Sequence, residues 1–344
     1  MKNAKTLVLG LMIVIGLVYL SAKGYVYYQT KTKLDELVKQ ASLFAEVTYG
    51  GISSDLQKGS VSVNDVSISP RTVQDTIQIR QLKMQGDGPM FLFSDTSKLS
   101  QQTPEFLAVA INGMRIGLDG ELYRSMGTMA AAQAKANGVK LPDGCEFGGS
   151  MTGEDLRTLG YDALFANASF TVSHDKITSK TKMSLDMDVE DMGDFSMTMS
   201  MRGGASPMMM AVAPSADEIR FIYTVDPEYM KGVKKYCASV LKISEEEYVN
   251  RIVTADDADF QRYYGFTPGD GIRQAINAFM LKPGDIDIRM RPSPDINPAT
   301  VTNYRPSDII NMLGATLYVN GEPVQDLCFK LDEQYDAKQS AIGD

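Results

Sequence analysis

The chain has 344 residues, a formal net charge of −9 and one histidine. That acidity excludes a general electrostatic affinity for nucleic acid, which requires a basic face. It also makes anionic lipid surfaces unfavourable unless charge is locally segregated. The three cysteines, Cys145, Cys237 and Cys328, are far apart in sequence, and with a single histidine they make a poor zinc-ligand set.

Residues 7–20 carry no charge and are almost wholly aliphatic. Fourteen such residues are short for a bilayer span, which needs roughly 20. The apolar character resumes beyond Lys23 at Tyr25, Val26, Tyr27 and Tyr28. A helix over residues 7–28 would be about 33 Å long, close to the roughly 30 Å hydrocarbon core. The tyrosines suit an interfacial belt and Lys23 suits snorkelling. The segment therefore reads as an uncleaved transmembrane anchor. The alternative is a signal peptide cut after Ala22, where Leu20 occupies a position that prefers a small residue. Either reading exports the rest of the chain.

Residues 29–45 have helical spacing at Leu34, Leu37, Val38 and Leu43 and read as a helical stalk. Three alternating segments follow: Val61, Val63, Val66 and Ile68; Ile77, Ile79, Leu82 and Met84; Val109, Ile111, Met114 and Ile116. Each changes parity at its middle. One extra residue there returns the later pair to the same face, as a β-bulge does; two very short strands about a turn give the same spacing. Residues 121–137 predict a helix with Leu122, Met126, Met129 and Ala130 on one face, and residues 155–165 a shorter one.

The clearest sheet signal comes next. Phe170 and Val172 lead to a turn near His174. Met183, Leu185, Met187 and Val189 then alternate with polar residues, and after a turn at 191–194 so do Phe195, Met197, Met199 and Met201. This is an antiparallel meander with one apolar and one solvated face. Residues 203–215, with Pro207 and Pro214, predict a crossover between domains. Beyond it lie a strand at 219–225, a helix capped by Asp226-Pro227, a second capped by Ser244, a third opened by Thr267-Pro268, a strand at 286–291, a short helix at 307–313 and an Asn320-Gly321 hairpin.

No phosphate-binding loop, dinucleotide fingerprint, metalloprotease helix or nucleophile elbow is present. The sequence thus advertises no cofactor, no metal and no catalytic residue. His174 reads as a solvated turn residue. Asp186, Asp188, Glu190, Asp191 and Asp194 fail the calcium-loop pattern, since Asp191 and Met197 occupy its glycine and bidentate glutamate positions. The distinctive feature is methionine. Met183, Met187, Met197, Met199 and Met201 share the apolar face, and Met208, Met209 and Met210 follow. Such a set can fill a core, line an adaptable apolar groove or, from neighbouring strands, hold Cu(I). Cys237 falls on the apolar face of a predicted helix, so by elimination Cys145 and Cys328 are the disulfide candidates, against three free thiols.

The anchor, the lysine-rich stalk and the run Gly59-Ser60-Val61-Ser62-Val63-Asn64-Asp65-Val66-Ser67-Ile68 resemble AsmA-like single-pass envelope proteins of Gram-negative bacteria over about 60 residues. The resemblance implies a β-rich periplasmic domain and a role in lipid handling or outer-membrane assembly; it carries no functional residues.

The expected architecture is α+β, a transmembrane helix followed by curved antiparallel sheet with interleaved helices. Its parts are an anchor (1–28), a stalk (29–45), a β-rich domain with a helical insert (46–203), an α+β second half (216–335) and a disordered tail (336–344). The expected function is non-enzymatic envelope maintenance from the periplasmic side of the inner membrane, through binding of a lipid or other apolar ligand. A protein-interaction scaffold for an envelope complex is the alternative.

Overall fold

A computed structural model of the chain describes residues 2–73, 75–93, 105–124, 128, 144–146, 151–202, 215–292 and 312–331, with residues 2–18, 215 and 329–331 described by their backbone alone. The expected helix at 121–137, Met208 to Met210, the short helix at 307–313 and the tail lie wholly or mostly outside these residues.

The chain begins with helix α1 (Lys2–Ala41). Strands β1 (Ala45–Thr48) and β2 (Gly51–Asp55) both pair with β3 (Ser60–Pro70). A meander follows through β4 (Ile77–Gly86), β5 (Phe106–Gly117), β6 (Ala163–Asp175), β7 (Lys180–Val189), β8 (Gly193–Arg202) and β9 (Ser215–Val225). Helix α2 (Gly153–Thr158) precedes β6. Helices α3 (Pro227–Leu241), α4 (Glu245–Val253) and α5 (Asp257–Tyr264) follow β9. Then come β10 (Phe266–Pro268), α6 (Asp270–Leu281), β11 (Asp285–Met290), β12 (Thr316–Val319), β13 (Glu322–Pro323) and β14 (Phe329–Leu331). Among the described residues twelve strands form one antiparallel sheet, while β10 and β14 pair separately. The expected boundary at 203–215 falls between β8 and β9, which are neighbours in that sheet.

The expected transmembrane helix requires correction. Among the described residues no helix is long and apolar enough to cross a membrane. Part of the proposed span is occupied with packing: Val26 is buried with Leu56 and Val61, and Ala22 lies against the same cluster. The stalk is likewise docked. Leu34 packs against Val63, Val66 and Ile79, and Asp35 accepts 2.5 and 2.8 Å hydrogen bonds from the Tyr49 hydroxyl and the Lys31 ammonium. A helix that buries Val26 and Leu34 against the sheet is part of the folded domain over those turns.

The bulged reading of the three alternating segments agrees with the strand register. Val61 pairs with Met84 and Met84 with Val109; Val63 with Leu82 and Leu82 with Ile111; Val66 with Ile79 and Ile79 with Met114. Asp65, Arg80 and Gly113 fall out of the ladder at one level. Asp65 and Gly113 have φ of 52° and 62°. Strand β6 carries no matching extra residue, so the register shifts between Ile111 and Met114.

Helix boundaries follow local capping. The Asp226 carboxylate accepts from the Glu228 and Tyr229 amides, and the Ser244 hydroxyl from that of Glu247. Thr152 and Asp155 form a capping box at α2, which ends at Thr158 because Ala163 onward joins the sheet. Thr267-Pro268 does not open a helix: it lies in β10, paired with Phe329–Leu331, and α6 begins at Asp270.

Candidate apolar binding face

Period-two alternation and the register together place the apolar residues of successive strands on one face. From β5 the rows continue through Val109–Phe170 and Ile111–Ala168 to Phe170–Leu185 and Val172–Met183. Met183 then pairs with Met199, Leu185 with Met197 and Met187 with Phe195. Beyond β8, Met199 faces Ile219, Met197 faces Phe221 and Phe195 faces Tyr223. Ile288 and Met290 on β11 extend these rows, and Leu317 on β12 follows Ile288.

This face is covered unevenly. Helix α1 lies over β3 through Val26 and Leu34. At the opposite strand ends Ala166, Val225 and Val319 are buried. There Tyr229 of α3 meets Tyr161 edge to face, and burial, then the neighbouring Tyr223, push its hydroxyl up to about 12. The helices form a compact layer of their own, with Cys237, Ala238, Tyr248, Val249, Ile252 and Met280 buried together. Between these two covers the face is half-open among the described residues, where Met183, Met197 and Met199 are half-buried, and at the edge of the helical cover Met187 is 40% exposed and Tyr223 42%.

The five predicted methionines are therefore brought together on one face, but not into one environment. Met201 is buried, opposite the buried Thr181. Met183, Met197 and Met199 are half-buried, and Met187 is exposed. Beyond the meander, the sequence did not place Ile219, Phe221, Tyr223 and Ile288 on the same face. The signal existed as alternation within β9 and β11, but their register with β8 was not legible.

The opposite face is polar and internally satisfied. Gln81 donates to Asn64, and Asn112 donates to Gln81, both at 3.2 Å. With Asp65 and Arg80 these three line a shallow depression of about 430 Å³. Asn167 donates to Asp188 at 2.9 Å. Asp194, opposite Asp188, has its carboxyl pushed up by burial and by that neighbour. The acidic cluster is thus a strand face and turn. At the far end Asp287 receives forked hydrogen bonds from Arg220 and further ones from Arg289. These hold its carboxyl down at about 2 against the cost of burial.

The predicted Cys145–Cys328 pairing is corrected. Cys145 is bonded to Cys237, with Cα atoms 5.0 Å apart, and Cys328 is free and exposed. The fold brings the 144–146 turn onto the helix face that buries Cys237, and because a disulfide is itself an apolar core element, burial of Cys237 is compatible with its being bonded. His174 lies in β6 with Nδ1 3.1 Å from the Thr181 hydroxyl. Among the described residues no group of three or more His, Cys, Asp or Glu side chains could hold a metal ion. No protein-family model and no characterised protein matches this chain.

Proposed function

We propose that the protein binds the acyl chains of a lipid, or a similarly elongated apolar ligand, along the open apolar face of the sheet, and serves the cell envelope as a non-enzymatic binding protein. The observation that carries this reading is the set of in-register apolar rows from β4 to β11 whose middle is half-exposed. Unbranched, polarisable methionine side chains conform to irregular apolar ligands. The ordinary expectation for a sheet is one solvated and one packed face; a wide apolar face left open among the described residues supports a binding surface. The Cys145–Cys237 bond suits an oxidising, exported compartment, as does the apolar run at residues 7–20. The AsmA-like resemblance points to the periplasmic side of the inner membrane.

The test is photolabelling of the full chain with a phospholipid carrying a diazirine in its acyl chain. Adducts are expected on peptides containing Met187, Met197, Met199 and Phe221. Met199→Asp should lose most of that labelling with only a modest fall in thermal midpoint, because a half-buried carboxylate at this position stays hydrated. Met199→Leu conserves volume and should label as the parent does. Labelling confined to residues 7–28, or unchanged by Met199→Asp, would overturn the reading.

A further inference from the structure

The sheet has two unlike ends. The helices α3 to α6 close the end where β9 finishes and β11 begins. The other end carries the start of β3, the end of β4, the start of β5 and the turn between β6 and β7. At this end large apolar side chains stand in solvent. Ile177, in the β6–β7 turn, is 95% exposed; Met90, in the 3-10 turn Pro89–Phe93 after β4, is 77% exposed. The second turn packs over β3 and β4 and the first joins β6 and β7, so strand order puts them roughly three strand spacings, about 14 Å, apart. Beside them Phe93 stacks on Tyr25 of α1 with ring centroids 6.0 Å apart, and Leu92 joins Val26 and Val61 in the core beneath. Tyr28 of α1 is 68% exposed.

We infer that this end of the sheet docks on a lipid bilayer surface, with Ile177, Met90 and Phe93 entering the interfacial layer beside α1. Three features fit a bilayer rather than a protein groove. The exposed residues sit on two separate turns and one helix, as points of insertion and not as one complementary patch. Tyr25 and Tyr28 beside them, both exposed, have with Lys23 the apolar body and polar tip that favour the headgroup region. The same α1 continues as helix toward its N-terminus through the uncharged residues 7–18. Lys180 and Lys182 are exposed near the Ile177 turn, but Asp175, Glu105 and Asp87 stand at the same end, with Glu105 paired to Lys176, so charge does not set this end apart and the docking rests on its apolar and interfacial side chains. Docked this way, the open apolar face would meet the bilayer at one end and be closed by helices at the other. That consequence rests on the proposed lipid-binding reading; the docking itself does not.

The test uses the full chain in a Cys328→Ser background, reconstituted with vesicles of phosphatidylethanolamine and phosphatidylglycerol. An environment-sensitive fluorophore is attached at Ile177→Cys, at Met90→Cys or, as a control at the helical end, at the exposed Glu246→Cys. The expected result is a blue shift at the first two positions and loss of most of their emission when the lipids carry doxyl quenchers, with neither change at the control. Emission at Ile177→Cys and Met90→Cys that is quenched only by aqueous iodide would overturn the inference. Because Ile177 makes almost no contact, its substitution leaves the fold intact. Acyl-chain adducts at Met197 and Met199 with water-exposed tips would leave the binding reading standing and sink the docking. Lipid-quenched tips without such adducts would do the reverse.

Discussion

Removal of the Cys145–Cys237 bond tests how the turn at residues 144–146 is held to the helical layer. The two cysteines are 92 residues apart in sequence. Closing a loop of that length withdraws about 4–5 kcal/mol of conformational entropy from the unfolded chain, and residual structure in that chain usually reduces the measured value to about 2–4 kcal/mol. Both sulfurs lie in the cluster formed by Ala238, Tyr248, Val249, Ile252 and Met280. The double variant Cys145→Ala/Cys237→Ala therefore leaves no unsatisfied polar group and adds only a small cavity cost. Urea unfolding of the full chain, followed by tyrosine fluorescence because tryptophan is absent, should show the variant less stable by about 2–4 kcal/mol. Reductant should lower the parent to the same level and leave the variant unchanged. A parent midpoint insensitive to reductant, or a non-reducing peptide map that joins Cys328 to either partner, would refute the reasoning.

Asp287 carries a pH signature. Its carboxyl lies at about 2 in the folded chain against an ordinary 3.8, mainly through its hydrogen bonds with Arg220. Its side chain is only 6% exposed, so the depression corresponds to about 2 kcal/mol of stability. A lowered carboxylate pKa stabilises above the unfolded value, and that stability is lost as pH falls from about 4 through 2. Asp287→Asn should thus be less stable by about 2 kcal/mol at pH 6, with the difference from the parent shrinking toward zero near pH 2 in a series of urea titrations; a constant difference would count against it. Gly113 has φ of +62°, and a Cβ there would sit 3.0 Å from the Cβ of Arg80. Gly113→Ala should cost about 1–2 kcal/mol through left-handed backbone strain alone, measurable as a lowered thermal midpoint, whereas an unchanged midpoint would show that the bulge relaxes freely.

Local chemistry was legible in the sequence wherever it is set by neighbours along the chain. The alternation of Met183 to Val189 and Phe195 to Met201 gave two strands and their apolar side. The parity change at Asn64-Asp65 and at Asn112-Gly113 marked bulges at the level where the ladder is interrupted. Asp226-Pro227, Ser244 and Asn320-Gly321 marked helix starts and a hairpin because each satisfies or shapes its own backbone. Other features depended on partners remote in sequence. Thr267-Pro268 looks like a helix start but joins a strand because β14 is there to pair with it. Cys237 looks like a core residue and is one, yet its bond to Cys145 depends on a turn 92 residues earlier folding onto the same helix face. The end of the apolar stretch reads as part of a span until Ala22 and Val26 are seen against Leu56 and Val61, since hydropathy cannot distinguish burial in lipid from burial against a sheet. The open face is likewise a tertiary result. Each strand's pattern specifies two sides, but only pairing register decides that the apolar sides of β3 to β12 coincide, and only the placement of α1 and the distal helices decides which part of that face they cover.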